Sequence, residues 1–136
     1  MMRSYRTTVP RAIALVLFSV FFAAACAYHF REAEGFAAML PSFVPWRLEI
    51  VYVTGGVELL LAVLIQLPAF RRRAGNWTAI YLILIFPANI YAAIAGVPAP
   101  GQEETSAALL WGRLAFQPLI IWWVWWATRL PRSGKR

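Results

Sequence analysis

Leu48–Arg73 reads LEIVYVTGGVELLLAVLIQLPAFRRR, and this stretch decides the fold. Its first twenty residues are apolar apart from a few polar side chains; a proline then ends the run and three arginines follow. As a helix the run is about 30 Å long, the thickness of a bilayer's hydrocarbon core. Reading outward, three more runs of the same kind appear, Ala12–Phe30, Asn76–Ala95 and Ala107–Thr128. A 136-residue chain that is 61% apolar, 15% aromatic and only 14% charged is too apolar for a soluble domain of its size. The pattern predicts an all-α, four-helix transmembrane bundle that uses the whole chain as one domain.

Charge supplies the orientation. The segments before the first run, between the second and third, and after the fourth hold Arg3, Arg6, Arg11, Arg71, Arg72, Arg73, Arg129, Arg132, Lys135 and Arg136, with no acid. The other two connections hold Glu32, Glu34, Glu103 and Glu104, with Arg31 and Arg47 as their only cations. Short loops rich in Lys and Arg stay cytoplasmic, so a multi-pass protein with both termini inside is expected. The net charge of +7 is then a topology signal with attraction to anionic headgroups, and no nucleic-acid partner is implied. Trp46 and Trp111 fall at the outer ends of the runs, while Trp77 and the cluster Trp122, Trp123, Trp125 and Trp126 fall at the inner ends, as aromatic belts do.

Ala23-Ala24-Ala25-Cys26 loosely resembles a lipoprotein processing site, but the apolar run continues past it and Ala23 stands where a large aliphatic residue is usual. Cleavage is not expected, and Cys26, the only cysteine, reads as a packing residue.

Polar residues inside the runs carry the functional signal. At 1.5 Å per residue, Thr54, Asn89 and Arg113 each lie about 9–10 Å below the outer end of their helix, and Glu58 and Gln117 about 15 Å. His29 closes this layer at the end of the first run. A charge at a helix centre costs about 2.5–3.5 kcal/mol on insertion scales, so Glu58 and Arg113 are expected to point inward and pair. Val51, Gly55, Glu58, Ala62 and Ile65 make a narrow face with small residues beside the charge. Pro87 and Pro118 deprive the carbonyls of Ile83 and Leu114 of their helical donors and open space at similar depth. Two readings stay open: a structural ion pair in a kinked bundle, or a polar-floored pocket for an amphiphilic or anionic group. The connection Arg31–Trp46, REAEGFAAMLPSFVPW, is too apolar for a solvated loop and too short to span. It predicts an interfacial segment, either a collar or a lid over the polar layer.

With one His and no Asp, a His-based metal cluster or a bis-His haem is unavailable. No nucleophile is paired with a base, and no glycine-rich phosphate loop follows a strand. No catalytic residue and no metal site is therefore expected.

Taken in order, His29-Phe30, Met39-Leu40-Pro41 with Pro45, Thr54-Gly55-Gly56-Val57-Glu58, Phe86-Pro87-Ala88-Asn89-Ile90, and Trp111-Gly112-Arg113-Leu114 with Gln117 resemble the DoxX family of small bacterial four-helix membrane proteins. The resemblance runs from about His29 to Thr128 and implies a bundle in the bacterial inner membrane. That family is named after a subunit linked to a terminal quinol oxidase and to thiosulfate:quinone oxidoreduction, and relatives are tied to redox or stress-defence complexes. It brings no catalytic residues to these positions.

The expected function is a non-catalytic membrane subunit or small-molecule binder supporting a quinone-linked or redox process. His29, Thr54, Glu58, Asn89, Arg113 and Gln117 are its candidate ligand-binding residues, and a quinone or a lipid is the expected ligand. The expected partners are the lipid bilayer and a membrane redox complex or further copies of the chain. A structural or assembly partner that uses the ion pair for helix specificity is the first alternative, and a small oligomeric permease the second.

Overall fold

The computed structural model describes residues 8–129; the cationic positions Arg3, Arg6, Arg132, Lys135 and Arg136 lie outside them. Within that range the chain is helical: α1 Val9–Arg31, α2 Ala33–Ala37, α3 Arg47–Leu64, α4 Arg71–Ala95 and α5 Ala107–Ala127. Helix boundaries follow local chemistry more than hydropathy. Pro10 sits in the first turn of α1, where its missing N–H costs nothing, so the helix starts at Val9, before the apolar run. Serine starts α5: the Ser106 Oγ accepts from the Leu109 N–H at 3.3 Å. Helix α3 stops at Leu64, three residues short of the apolar run's end, because Pro68 disfavours helix at Leu67. The Arg71 side chain then donates to the carbonyls of Ile65 and Gln66, each at 2.9 Å, and seals that end. The arginine triplet is not a loop; it forms the first turn of α4, arginine being a good helix former.

Three helices, α1, α4 and α5, are long and apolar enough to cross a membrane. Helix α3 has 18 residues and carries three charges, Arg47, Glu49 and Glu58. Its sides nevertheless resemble those of the others. Val20 on α1, Leu60 on α3, Leu84 on α4 and Leu119 on α5 are 62%, 56%, 71% and 59% exposed, an apolar exterior that a soluble monomer does not tolerate. Trp46, Trp111, Trp77, Trp122 and Trp125 also face outward. Trp123 and Trp126 do not: one turn apart, they face inward and pack on the core. The Trp123 ring meets Phe18 edge-on at 5.9 Å, and the Arg11 guanidinium lies 4.8 Å over Trp126. Half of that tryptophan cluster is therefore core, as helical periodicity requires.

Helix α1 packs along α3, and α4 along α5. At the arginine-rich end the two pairs share one core of Phe18, Phe22, Ile65, Leu82, Ile120 and Val124 with their neighbours. Gly75 permits the close approach of α4 to the end of α5, since a Cβ there would collide with the Thr128 side chain. At the glutamate-rich end an apolar cluster of Ala93, Leu110 and Leu114 joins α4 to α5. The helix pairs are thus fused at one end and separated in the other half, and the gap holds the cavity.

Candidate functional site

The predicted narrow face of α3 is buried: Val51, Gly55, Glu58, Ala62 and Ile65 all lie against α1 or the core. Gly55 is required there, because a Cβ would stand 3.0 Å from that of His29. This close approach places the His29 ring beside α3, where Nδ1 lies 3.1 Å from the Val51 carbonyl oxygen and 3.3 Å from the Thr54 hydroxyl. Thr54 spends its own proton on the same carbonyl at 2.9 Å. A carbonyl can only accept, so Nδ1 carries a proton and donates it. Nε2 faces Glu58 Oε2 at 3.6 Å. Two lone pairs would oppose each other there, so the pair holds one further proton, either on the ring beside a carboxylate or on the carboxyl beside a neutral ring.

Glu58 is 4% exposed. Its Oε1 accepts from the Tyr81 hydroxyl at 2.7 Å, while Oε2 is buried without a hydrogen bond. The expected Glu58–Arg113 pair does not form. Among the described residues the ion pairs are His29–Glu58 and Arg31–Glu32. Helical depth predicts which layer a residue shares but not the direction it faces across the bundle, and a tyrosine of α4 reaches Glu58 instead.

The amides form a second network. Asn89 Nδ2 donates to Gln117 Oε1 at 2.5 Å, and Gln117 Nε2 donates to the Leu82 carbonyl at 2.6 Å. They do not cap Glu58 or Arg113. Instead they tie α4 to α5, with Gln117 using a carbonyl next to the one that Pro87 leaves without its donor.

All six predicted residues, His29, Thr54, Glu58, Asn89, Arg113 and Gln117, line one cavity of about 840 Å³. Apart from Tyr28 and Tyr81 the rest of its wall is apolar, with Phe21, Phe22, Ile85, Phe116 and Ile120 contributing. The connection between α1 and α3 closes the glutamate-rich end. Phe36 of α2 lies 4.0 Å from the His29 ring between centroids, and Met39 is buried beneath it. The Tyr28 hydroxyl donates to the Pro100 carbonyl at 3.0 Å, clasping the α4–α5 connection to α1. Gly101, at φ 82°, makes that clasp possible, since a Cβ would press on the Tyr28 hydroxyl at 2.7 Å. The segment therefore roofs the chamber with Phe36 and Met39 while Phe43 and Trp46 face outward.

Tyr81 is the residue that sequence reading missed. It lies ten residues into α4, away from either interface, and a buried phenol needs a partner; that requirement pointed to an acceptor at Glu58's depth. As metal ligands, His29 and Glu58 have no third His, Cys or acid joining them among the described residues. Chemically, the arrangement can hold a polar head beside the His29–Glu58–Tyr81 group within a largely apolar chamber.

A family model for a domain of unknown function (DUF8561) matches residues 18–128. The chain belongs to the DUF8561 family. No curated protein and no solved structure matches it. The DUF8561 match begins at Phe18, where the shared core starts, and ends at Thr128, so every residue of the cavity falls inside it.

Proposed function

We propose that this DUF8561 protein is a four-span bacterial inner-membrane protein that binds an amphiphilic small molecule, a quinone or a lipid, without catalysing a reaction. The observation that carries the reading is the convergence of six polar side chains from three long helices and the end of a fourth on one largely apolar chamber. Its volume lies within the range of about 300–1,000 Å³ usual for sites that enclose one small ligand. Intramembrane polar groups are costly enough to be kept mainly where they serve a site.

The fourth crossing is α3. Of its three charges, Arg47 and Glu49 occupy the first turn and Glu58 faces the chamber, leaving Val53, Leu60 and Val63 outward. The arginine-rich connections support a cytoplasmic location for both termini if all four helices cross. The quinone-linked or redox role, as a subunit of a larger membrane complex, rests on the resemblance to the DoxX family. A structural or assembly role remains the alternative, but not through a Glu58–Arg113 pair, which does not form among the described residues.

The test is native mass spectrometry of the full chain extracted in mild detergent, with lipid and quinone extraction of the same sample. A stoichiometric amphiphile that is lost in Phe22→Trp, which fills the chamber, is expected. A folded protein that carries no amphiphile in any preparation would refute the reading.

A further inference from the structure

Roof and floor of the chamber are closed, so the route in lies along its sides. Most lining residues are wholly or partly buried, but Phe21, Ala24 and Tyr28 on α1 and Arg113 and Phe116 on α5 are exposed. One further exposed lining residue, Leu84, lies on α4. The five on α1 and α5 border the chamber along the seam where those two helices are neighbours. At the arginine-rich end the seam is shut by Arg11 on Trp126 and Phe18 on Trp123. Towards the roof it is a window, edged by aromatic rings and by one cation.

Among the described residues that cation, Arg113, has no ion-pair partner and makes no hydrogen bond. The other charged groups of the chamber, Glu58 and His29, face each other, with Tyr81 on the second carboxylate oxygen. Gln117, on the same face of α5 one turn away, is committed to Asn89 and the Leu82 carbonyl. A guanidinium at hydrocarbon depth without a partner is expensive, and its planar donors match an oxyanion.

Building on the ligand-binding reading, we infer that the ligand is a single-chain amphiphile with an oxyanion head, a carboxylate or a phosphate, which enters sideways from the bilayer between α1 and α5. The head rests on Arg113 at the window and the chain lies against Phe21, Phe22 and Phe116. A chamber of about 840 Å³ accepts one acyl chain but not a whole two-chain phospholipid.

The experiment uses the full chain in phosphatidylcholine nanodiscs with three photoreactive probes of equal chain length: a diazirine fatty acid, the corresponding fatty alcohol and a diazirine lysophosphatidate. Labelled residues are located by peptide mass spectrometry. Both anionic probes should label Phe21, Phe22 or Phe116 about tenfold more than the alcohol does, the equivalent of one charge-assisted hydrogen bond. The ratio between the two anionic probes identifies the head as carboxylate or phosphate. Arg113→Gln should bring the anionic probes down to the alcohol's level, and Arg113→Lys should retain part of the difference. Ala24→Trp, which narrows the window, should reduce all three. Equal labelling by alcohol and anions, or an Arg113→Gln protein that labels like wild type, overturns the anion inference while the chamber still binds amphiphiles. Undiminished labelling in Ala24→Trp overturns entry through the seam. If no probe reaches these residues, the ligand-binding reading itself fails.

Discussion

Removing the Tyr81 hydroxyl offers a direct test of how the charged centre is held. In Tyr81→Phe, Glu58 Oε1 loses the donor it now has at 2.7 Å, and Oε2 already lacks one. A buried acceptor left unsatisfied costs about 1–3 kcal/mol, with more when it is charged. Glu58→Leu removes the phenol's carboxylate acceptor from the other side and costs up to a similar amount. Replacing both partners by apolar groups removes the conflict, so the double variant Glu58→Leu/Tyr81→Phe should be about 1–3 kcal/mol more stable than the sum of the singles predicts. Glu58→Gln should be mild: its oxygen still accepts from Tyr81, and its NH₂ group can donate to the deprotonated Nε2 of His29. The same cycle between Glu58→Leu and Arg113→Gln should be additive to within about 0.5 kcal/mol, since the two residues share no bond. Equilibrium unfolding in mixed micelles, followed by tryptophan fluorescence, measures all of these variants on one scale. A larger coupling for Glu58 with Arg113 than for Glu58 with Tyr81 would refute the arrangement described above.

Three other outcomes are expected. Gly55→Ala should destabilise by about 1–3 kcal/mol through overpacking against His29, whereas Gly56→Ala, with open space around its added methyl, should be neutral or gain up to about 1 kcal/mol of helix propensity; equal losses in the same unfolding assay would contradict the packing of α1 on α3. Gly75→Ala should lower stability by at least about 1 kcal/mol, and Thr128→Gly should recover part of that loss; no loss would mean that α4 and α5 do not meet there. Reporter fusions after Arg73 and Arg136 should read cytoplasmic, and fusions after Glu34 and Glu104 should read external. With α3 crossing, both termini lie on one side; opposite sides would leave only α1, α4 and α5 as spans.

Hydropathy located the long helices because burial in lipid demands it, but it did not mark their ends. The arginines at Arg71–Arg73 are polar yet helical, and Pro10 and Pro68 set boundaries that no apolar average records. Depth along each helix was likewise readable, and it gathered the six polar residues of the chamber into one layer. Their partners were not readable, because depth leaves the rotation of each helix open, and a small error there exchanges Arg113 for Tyr81. Tyr81 itself was masked by its surroundings, Ile80, Leu82 and Ile83, among which a phenol looks like one more apolar ring.

The Tyr28–Pro100 clasp, together with the Phe36 ring over His29, also changes how affinity for this protein must be expressed. On the proposed reading, with the aqueous end closed, a ligand would partition into the bilayer first and meet the window by two-dimensional diffusion. Occupancy then depends on the ligand's mole fraction among lipids, and total concentration in water is the wrong variable. Adding detergent or lipid at constant ligand would empty the chamber by dilution alone, with no change in any contact between ligand and protein.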